Sequence, residues 1–368
     1  MLTSDNLYNF LCNRLTNYNN ILQNPFKFVI LYQKTKRLKD RKSRRTDNII
    51  SNRAGGFKGR AYMSVKYILY NPLSCNGKGT ELAQKLTDIY KDDELKYCNM
   101  TQISGYGTFF DSISPESDIV LCGGDGTLNR FINDSDGYPY ENPLYYYGTG
   151  SGNDFLRDLG KEQGCEPVRI NEYVRNLPIV TVNGKSSRFI NAIGYGIDGY
   201  CCETGDELRE KSDKPINYTS IAVKGLLFHF RPANAVINVD GREYSYKKVW
   251  LAPTMNGRFY GGGMMTAPKQ DRNNPEGKLS VVVMHGSGKL KTLMVFPSIF
   301  KGEHISHTEM VEVLTGKEIT VRFDSPAALQ IDGETVKNVS EYSVKAYDRE
   351  NGDRRYTDGE KEKESETV

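Results

Sequence analysis

The stretch Cys122-Gly123-Gly124-Asp125-Gly126-Thr127-Leu128-Asn129 places three glycines around one carboxylate. It follows the short apolar run Ile119 to Cys122 and precedes Leu128, Phe131 and Ile132, which recur at helical spacing. A buried strand that breaks at glycines and resumes as an amphipathic helix is one β-to-α unit. Glycine lets backbone amides approach a polyphosphate closely, and the amino end of the helix adds positive potential. Asp125, as the lone acid in such a loop, would hold Mg²⁺ or take a proton, because a bare carboxylate beside phosphates is repelled. The ordinary alternative is a tight strand-to-helix turn with Asp125 near the helix cap.

The same grammar appears on both sides. Upstream, Val65 to Tyr70 is an apolar, β-branched and aromatic run that ends at Asn71-Pro72, and Leu82, Leu86, Ile89 and Tyr90 then follow a helical period. Downstream, Leu144 to Tyr147 leads through Gly148-Thr149-Gly150-Ser151-Gly152 into Asn153-Asp154-Phe155-Leu156. Thr149 and Ser151 offer hydroxyls, and Asn153 and Asp154 could hold a ribose or brace the neighbouring loop. Strands alternating with helices imply a mostly parallel sheet covered on both faces. Two glycine loops at the carboxyl ends of its strands converge on one crevice, and as a pair they point to a bound nucleotide.

After about residue 178 the apolar pattern turns to period two. Asn183-Gly184, Asp240-Gly241 and Asp332-Gly333 each lie between alternating segments, as hairpin turns do, so this half should be antiparallel β with one helical interlude near Tyr218 to Phe230. The expected organisation is an extension over 1–62, an α/β nucleotide domain over 63–178, a β domain over 179–345 and a charged tail over 346–368. The groove between the two domains is the default ligand site.

Composition bounds the function. A chain of 368 residues is long enough for two cores, since single cores stop growing near about 250 residues. With 38% apolar and 26% charged residues it reads as globular, and its longest apolar runs fall short of the ~20 residues that cross a bilayer. The first residues lack a secretion signal, and seven cysteines without a CxxC pair suit neither a disulfide framework nor a zinc ribbon, so a reducing cytoplasm is expected. The net charge of +3 is uneven. Residues 1–62 carry thirteen Lys or Arg against three acids, the tail from Asp348 five against eight, and the body between is mildly acidic. A dedicated nucleic-acid binder would show a basic folded surface instead. The basic run Lys34 to Arg45 reads as a solvated segment or as one drawn to anionic headgroups. Met63 opens its stretch as a domain start would, which leaves an initiation site there open.

Several motifs mislead. Asn76 to Thr80 (NGKGT) lacks the spacer and the Lys-Ser/Thr ending of a Walker loop. Gly194 to Gly199 (GYGIDG) is a literal G-x-G-x-x-G, but a polar stretch leading into hairpins should follow it, with no second parallel strand carrying a ribose-binding acid, so a dehydrogenase site is not expected. His229, His285, His304 and His307 are too dispersed for a metal cluster; His304 and His307 could share a helical face, but surface or core histidines are the ordinary account. Ile331 to Glu334 (IDGE) is, on local grounds, one more Asp-Gly hairpin.

Taken in order, YNPLSCNGKG, GGDGTLN, GTGSGNDF, the NGRFYGGGM segment followed by TAP (Asn256 to Pro268) and IDGE resemble the diacylglycerol kinase catalytic-domain family, in particular its bacterial soluble lipid kinases. That group is related to sphingosine and ceramide kinases and more remotely to NAD kinases, and the similarity spans about residues 63–345. It implies a parallel-sheet nucleotide domain joined to an antiparallel β-sandwich domain, with ATP and Mg²⁺ in the groove and a γ-phosphoryl transferred to a lipid hydroxyl, most simply that of diacylglycerol. By the same resemblance the nucleotide contacts would be Asn71, Pro72, Thr101, Gly123, Gly124, Asp125, Gly126, Thr127, Asn129, Ser151, Gly152, Asn153 and Asp154. Glu334 would be the proton acceptor, with Asp332 supporting it from the same turn. In the sphingosine kinase branch that role goes to the GGDG aspartate, so Asp125 competes for it, most simply as an Mg²⁺ partner.

Two departures matter. Cys75 stands where many relatives have glycine after Asn-Pro, which could narrow the room for phosphate. Where the bacterial kinases carry an aspartate that holds a structural Mg²⁺, this chain has Glu276, with Ser280 at a place where a further acid is common. Glu276 is therefore the candidate second metal ligand. NAD kinase, and a nucleotide sensor of this fold without catalysis, are the alternatives. The partners implied are a lipid at a membrane surface, with the protein cytoplasmic and peripheral. No nucleic acid is implied, and homodimer formation is left open.

Overall fold

The computed structural model describes residues 65–138, 140–150, 152–211, 216 and 218–347. The expected extension over 1–62, the tail from 348 onward and Ser151 lie outside the described residues.

Five strands make the first sheet: β1 (Val65–Tyr70), β2 (Glu94–Asn99), β3 (Asp118–Gly123), β4 (Leu144–Gly148) and β5 (Val168–Arg169), in the order β2-β1-β3-β4-β5. The first four run parallel, and β5 closes the edge antiparallel to β4 through Tyr145 and Arg169. β3 shows why the run Ile119 to Cys122 is continuously apolar. Ile119 and Leu121 face a cluster with Leu128, Phe131 and Ile132, while Val120 and Cys122 face another with Ala83 and Leu86 on the opposite side. A strand covered by helices on both faces has no polar side to display. Burying Leu128 and Phe131 contributes roughly 1.5–3 kcal/mol each, enough to fix the helix Asp125–Asp134 against the sheet.

The chain passes from β1 to β2 on one side and then to β3 on the other, so the order reverses between β1 and β3. Ligands bind outside the carboxyl ends of strands at such a reversal. The segments from Asn71, from Thr101, from Gly123 and from Gly148 all leave the sheet along that edge.

The second lobe holds β6 (Ile179–Val182), β7 (Lys185–Arg188), β8 (Ala192–Tyr195), β9 (Ala233–Val239), β10 (Arg242–Val249), β11 (Thr254–Met255), β12 (Phe259–Tyr260), β13 (Met264–Met265), β14 (Leu279–Met284), β15 (Val311–Gly316), β16 (Glu318–Ile331) and β17 (Glu334–Lys345). All pair antiparallel, and ten of them form one sheet that bends along β16. The first half of β16 pairs with β9 and its last three residues pair with β8, with a register shift between Arg322 and Ala327. One long strand thus serves both layers. β14 is buried along its whole length because Leu279, Val281 and Val283 face the core between the layers, whereas Val282 and Met284 face a second cluster under the helices.

One expectation needs correction. The stretch after GYGIDG is a helix, Ile197–Lys211, and no hairpin follows it directly. Its sequence ETGDELREK looks like a surface loop because only a narrow stripe, including Ile197, Cys201 and Gly205, is buried. Gly199 permits the close approach, since a Cβ there would meet the main chain of Ala328. β8 before it pairs antiparallel with β11 and β16, so the glycines serve helix-on-sheet packing. His304 is a core histidine, buried in a short 3₁₀ turn with its Nε2 3.0 Å from the carbonyl of Thr266, and His307 is half-exposed at the end of that turn.

Candidate active site

The two glycine loops press together. The amide of Thr149 donates to the carbonyl of Gly123 at 2.8 Å, and a Cβ added to Gly150 would sit 2.7 Å from the Cα of Gly124. A Cβ on Gly150 is excluded by that contact, and one on Gly124, 3.1 Å from the Gly150 Cα, would be tight. The helix Asp125–Asp134 begins at Gly124 without a side-chain cap. The amides of Asp125, Gly126 and Thr127 therefore have no partner within the helix, because Leu128 is the first to bond back, to Gly124. This bare amino end and the facing loop form a cradle of backbone donors suited to phosphate oxygens.

The Asp125 carboxylate turns to the second loop. Its Oδ2 accepts the amide of Asp154 at 2.8 Å and its Oδ1 that of Phe155 at 3.2 Å, so it caps the helix Asp154–Asp158 of the second loop. Burial pushes the Asp125 carboxyl up, against the pull of these amides and of the Asn191 side chain. Asp154 in turn accepts the amide of Gly262 at 2.8 Å, which ties the second loop to the glycine-rich turn of the other lobe. Burial first and the Asp125 charge second push Asp154 up to about 7. Asn153 adopts left-handed backbone (φ 46°) and donates its side-chain amide to Gly150. Of the two roles open to Asn153 and Asp154, bracing the loop is the one their bonds perform.

Asp332 and Glu334 are separated by one glycine and do different things. The Asp332 carboxylate accepts from the amides of Ile190, Asn191 and Ala192 at 2.6–3.0 Å and from Asn129 Nδ2 at 2.8 Å. It brackets the crossing from β7 to β8 onto the helix of the first glycine loop. The support expected from Asp332 is thus given to the backbone beneath the turn, and Asn129 supplies one of its donors. Glu334 is exposed, and among the described residues no hydrogen bond or ion pair engages its carboxylate. It faces the first glycine loop: a Cβ on Gly126 would lie 3.8 Å from Glu334 Oε1. Acid and cradle therefore meet, although about two hundred residues separate them in sequence.

The remaining expected contacts distribute as follows. Asn71 turns the chain after β1, its carbonyl accepting the Ser74 amide at 3.0 Å. Thr101 sits beyond β2 with amide and hydroxyl both on Asn99 Oδ1. Cys75 takes a left-handed conformation (φ 54°) that glycine adopts more readily, and its Sγ lies 3.4 Å from the carbonyl and hydroxyl of Thr149. Glu276 is exposed and paired with Lys278 at 2.5 Å, and Ser280 donates to a buried Gln270 whose amide serves the carbonyl of Lys278 at 3.0 Å. Among the described residues no three His, Cys, Asp or Glu gather as a metal cage.

Sequence reasoning missed the clasp between the lobes. Asp158 receives Arg258 Nε at 2.8 Å and Arg272 Nε at 2.5 Å, with both Asp158 and Arg272 almost fully buried. Arg272 also reaches Asn191 Oδ1 at 3.2 Å. Arg258 lies inside the NGRFYGGGM segment, and that position was the available signal.

Known proteins share this two-lobed fold. Residues 66–181 match the family model described as the diacylglycerol kinase catalytic domain, and residues 191–345 match the YegS C-terminal NAD kinase beta sandwich-like domain. A diacylglycerol kinase of Mycobacterium tuberculosis (strain CDC 1551 / Oshkosh) is 26% identical over 56% of this chain and 67% of its own. A Staphylococcus aureus (strain JH9) protein with a provisional lipid kinase name is 24% identical over 71% of this chain and 81% of its own. A solved structure from Bacillus anthracis str. Sterne, provisionally titled a diacylglycerol kinase, shares the fold at a TM-score of 0.53 and 18% identity, covering 78% of this chain and 95% of that one.

Proposed function

We propose that this chain, which belongs to the diacylglycerol kinase catalytic-domain family, transfers the γ-phosphoryl group of ATP to the hydroxyl of a lipid alcohol, diacylglycerol being the leading acceptor. The observation that supports it is the approach of the free Glu334 carboxylate to the bare helix end at Gly126. In this reading the glycine cradle holds the phosphates, and Glu334 takes the proton of the acceptor hydroxyl. As the acceptor oxygen bonds to the γ-phosphorus, the bond to the bridging oxygen breaks and ADP leaves. Such a transfer depends mainly on positioning and charge neutralisation, and a single well-placed carboxylate is enough to orient the hydroxyl.

Magnesium bound with the nucleotide would neutralise the developing phosphate charge. The residues fit a cation that takes most of its ligands from phosphate and water, the usual habit of Mg²⁺, because Glu334 is the carboxylate left unengaged at the cradle. Asp125 supports the reaction by holding the second loop, and its role is positioning. Asp332 fixes the turn that carries Glu334. The Gly261 to Met265 segment, held by Asp154, would form part of the wall for the acyl chains.

No helix among the described residues is long and apolar enough to cross a membrane, so a lipid acceptor would be met at a surface. Incubation with labelled ATP and a panel of lipid alcohols tests the proposal. Label in a phosphorylated lipid is the expected result, and ATP binding without transfer to any lipid, with or without Mg²⁺, would contradict it.

A further inference from the structure

Among the described residues, a group of exposed apolar side chains lies on the second lobe, on three elements packed against one another. Phe228 is 71% exposed on the π-helical turn Gly225–His229, Leu290 and Met294 are 68% and 67% exposed on the helix Lys289–Val295, and Phe300 is 40% exposed on the 3₁₀ turn that follows. Leu290 and Met294 stand four residues apart and so share one helix face. The opposite face is used, with Thr292 and Val295 buried. Lys289 joins the elements by donating to the carbonyl of Leu227 at 3.1 Å. These exposed residues are therefore not the outer edge of a core helix that happens to be apolar throughout. They project from elements whose inner sides already complete the cluster of Leu226, Val295, Ile299, Tyr260 and Met264.

The segments that carry the patch are basic, with two acids of the neighbouring turn, Glu303 and Glu309, beside them. Residues 218–231 and 285–302 contain Lys224, Arg231, Lys289, Lys291 and Lys301 and no Asp or Glu. Lys291 and Lys301 are partly neutralised by Glu309 and Glu303, at 2.9 and 3.9 Å, whereas no ion pair engages Lys224, Arg231 or Lys289 among the described residues. Apolar side chains rimmed by basic ones, on short helices, have the make-up of a surface that sinks into the headgroup region of an anionic bilayer. The cluster beneath the patch also contains Tyr260 and Met264, which flank the glycine turn bonded to Asp154. A surface at this place would bring the candidate acyl wall next to the bilayer.

We infer that Phe228, Leu290 and Met294, with Lys224 and Lys289 around them, dock this protein onto an anionic lipid bilayer. The choice of a bilayer as occupant rests on the lipid-kinase reading. The test compares the full chain with the full-chain triple variant Phe228→Ser, Leu290→Gln, Met294→Gln, by co-sedimentation with phosphatidylglycerol–phosphatidylcholine vesicles and with phosphatidylcholine vesicles alone. The wild type should bind the anionic vesicles, and the triple variant should bind them at least tenfold more weakly. The charge variant Lys224→Glu, Lys289→Glu, which leaves the apolar residues in place, should lose the preference for anionic vesicles. Equal vesicle binding by wild type and triple variant, or no binding by the wild type, would overturn the inference. A wild-type dimer that the triple variant converts to a monomer while vesicle binding is unchanged would do the same and would assign the patch to a second copy. Phosphorylation of a short-chain diacylglycerol dispersed as monomers is measured in parallel. It should be equal in wild type and triple variant, and its absence in both would refute the kinase reading while sedimentation still decides the docking surface.

Discussion

Asp125 Oδ2 accepts the main-chain amide of Asp154 at 2.8 Å, so the acid of the first glycine loop starts the helix of the second. The two loops are one unit. Neither can shift by a bond length without uncovering a buried carboxylate, and burial of an unpartnered charge is costly. The cradle is thereby preorganised for an anion before any ligand arrives.

Replacing Gly150 with alanine tests this coupling. The new Cβ would meet the Gly124 Cα at 2.7 Å, backbone against backbone, so the loops must separate. Overpacking of this kind costs about 1–3 kcal/mol. Gly150→Ala should weaken ATP binding at least tenfold by calorimetry, and unchanged affinity would show that the loop contact does not shape the phosphate site.

Asp332 and Glu334 should separate stability from turnover. Asp332→Ala leaves the amides of Ile190, Asn191 and Ala192 without an acceptor, and at roughly 1–3 kcal/mol for each buried group left unsatisfied the loss should be about 3 kcal/mol or more. Urea denaturation measures it. A loss within about 0.5 kcal/mol, the usual range for an exposed substitution, would mean that the bracket is not structural.

Asp154 predicts a pH dependence near neutrality. Its carboxyl is pushed up to about 7 in the folded chain, whereas an unfolded aspartate releases its proton near about 3.9. Between those values the folded state holds more protons, so stability falls as pH rises through that interval. Asp198, pushed up to about 6 by burial, contributes with the same sign. His304, lowered by burial to about 4, acts in the opposite sense, but only up to about 6.5. Above that value the histidine is neutral in both states, and the buried carboxyls of Asp154, Asp125 and Asp332, all pushed up by burial, act with one sign. Urea midpoints should fall between about pH 6.5 and pH 8 in the wild type and change less in Asp154→Asn. An identical slope in both proteins would contradict the assignment.

The site was legible in the sequence where its chemistry is local. The run Ile119 to Cys122, broken by glycines, specified a strand covered on both sides, and GGDGTLN with GTGSGNDF marked the crevice edge through close packing that a Cβ would disturb, as at Gly150 against Gly124. What stayed hidden depends on distant partners. Asp332 is bonded mainly to amides some 140 residues away, which carry no side-chain signature, and Asp158 acquires its two arginines only when the lobes meet. The helix Ile197–Lys211 was missed because a single buried stripe among charged residues gives a low contrast between its faces. β5 pairs antiparallel to β4 through only two residues, Val168 and Arg169, too short a segment for any period to show.

Single-turnover phosphoryl transfer by Glu334→Gln tests the central claim most directly. The glutamine keeps the size and exposure of the side chain, so folding and ATP affinity should be preserved. Transfer to the lipid hydroxyl should fall by about 10²–10⁴, the usual contribution of a general base. Transfer at the wild-type rate would show that the carboxylate facing Gly126 takes no part in the reaction.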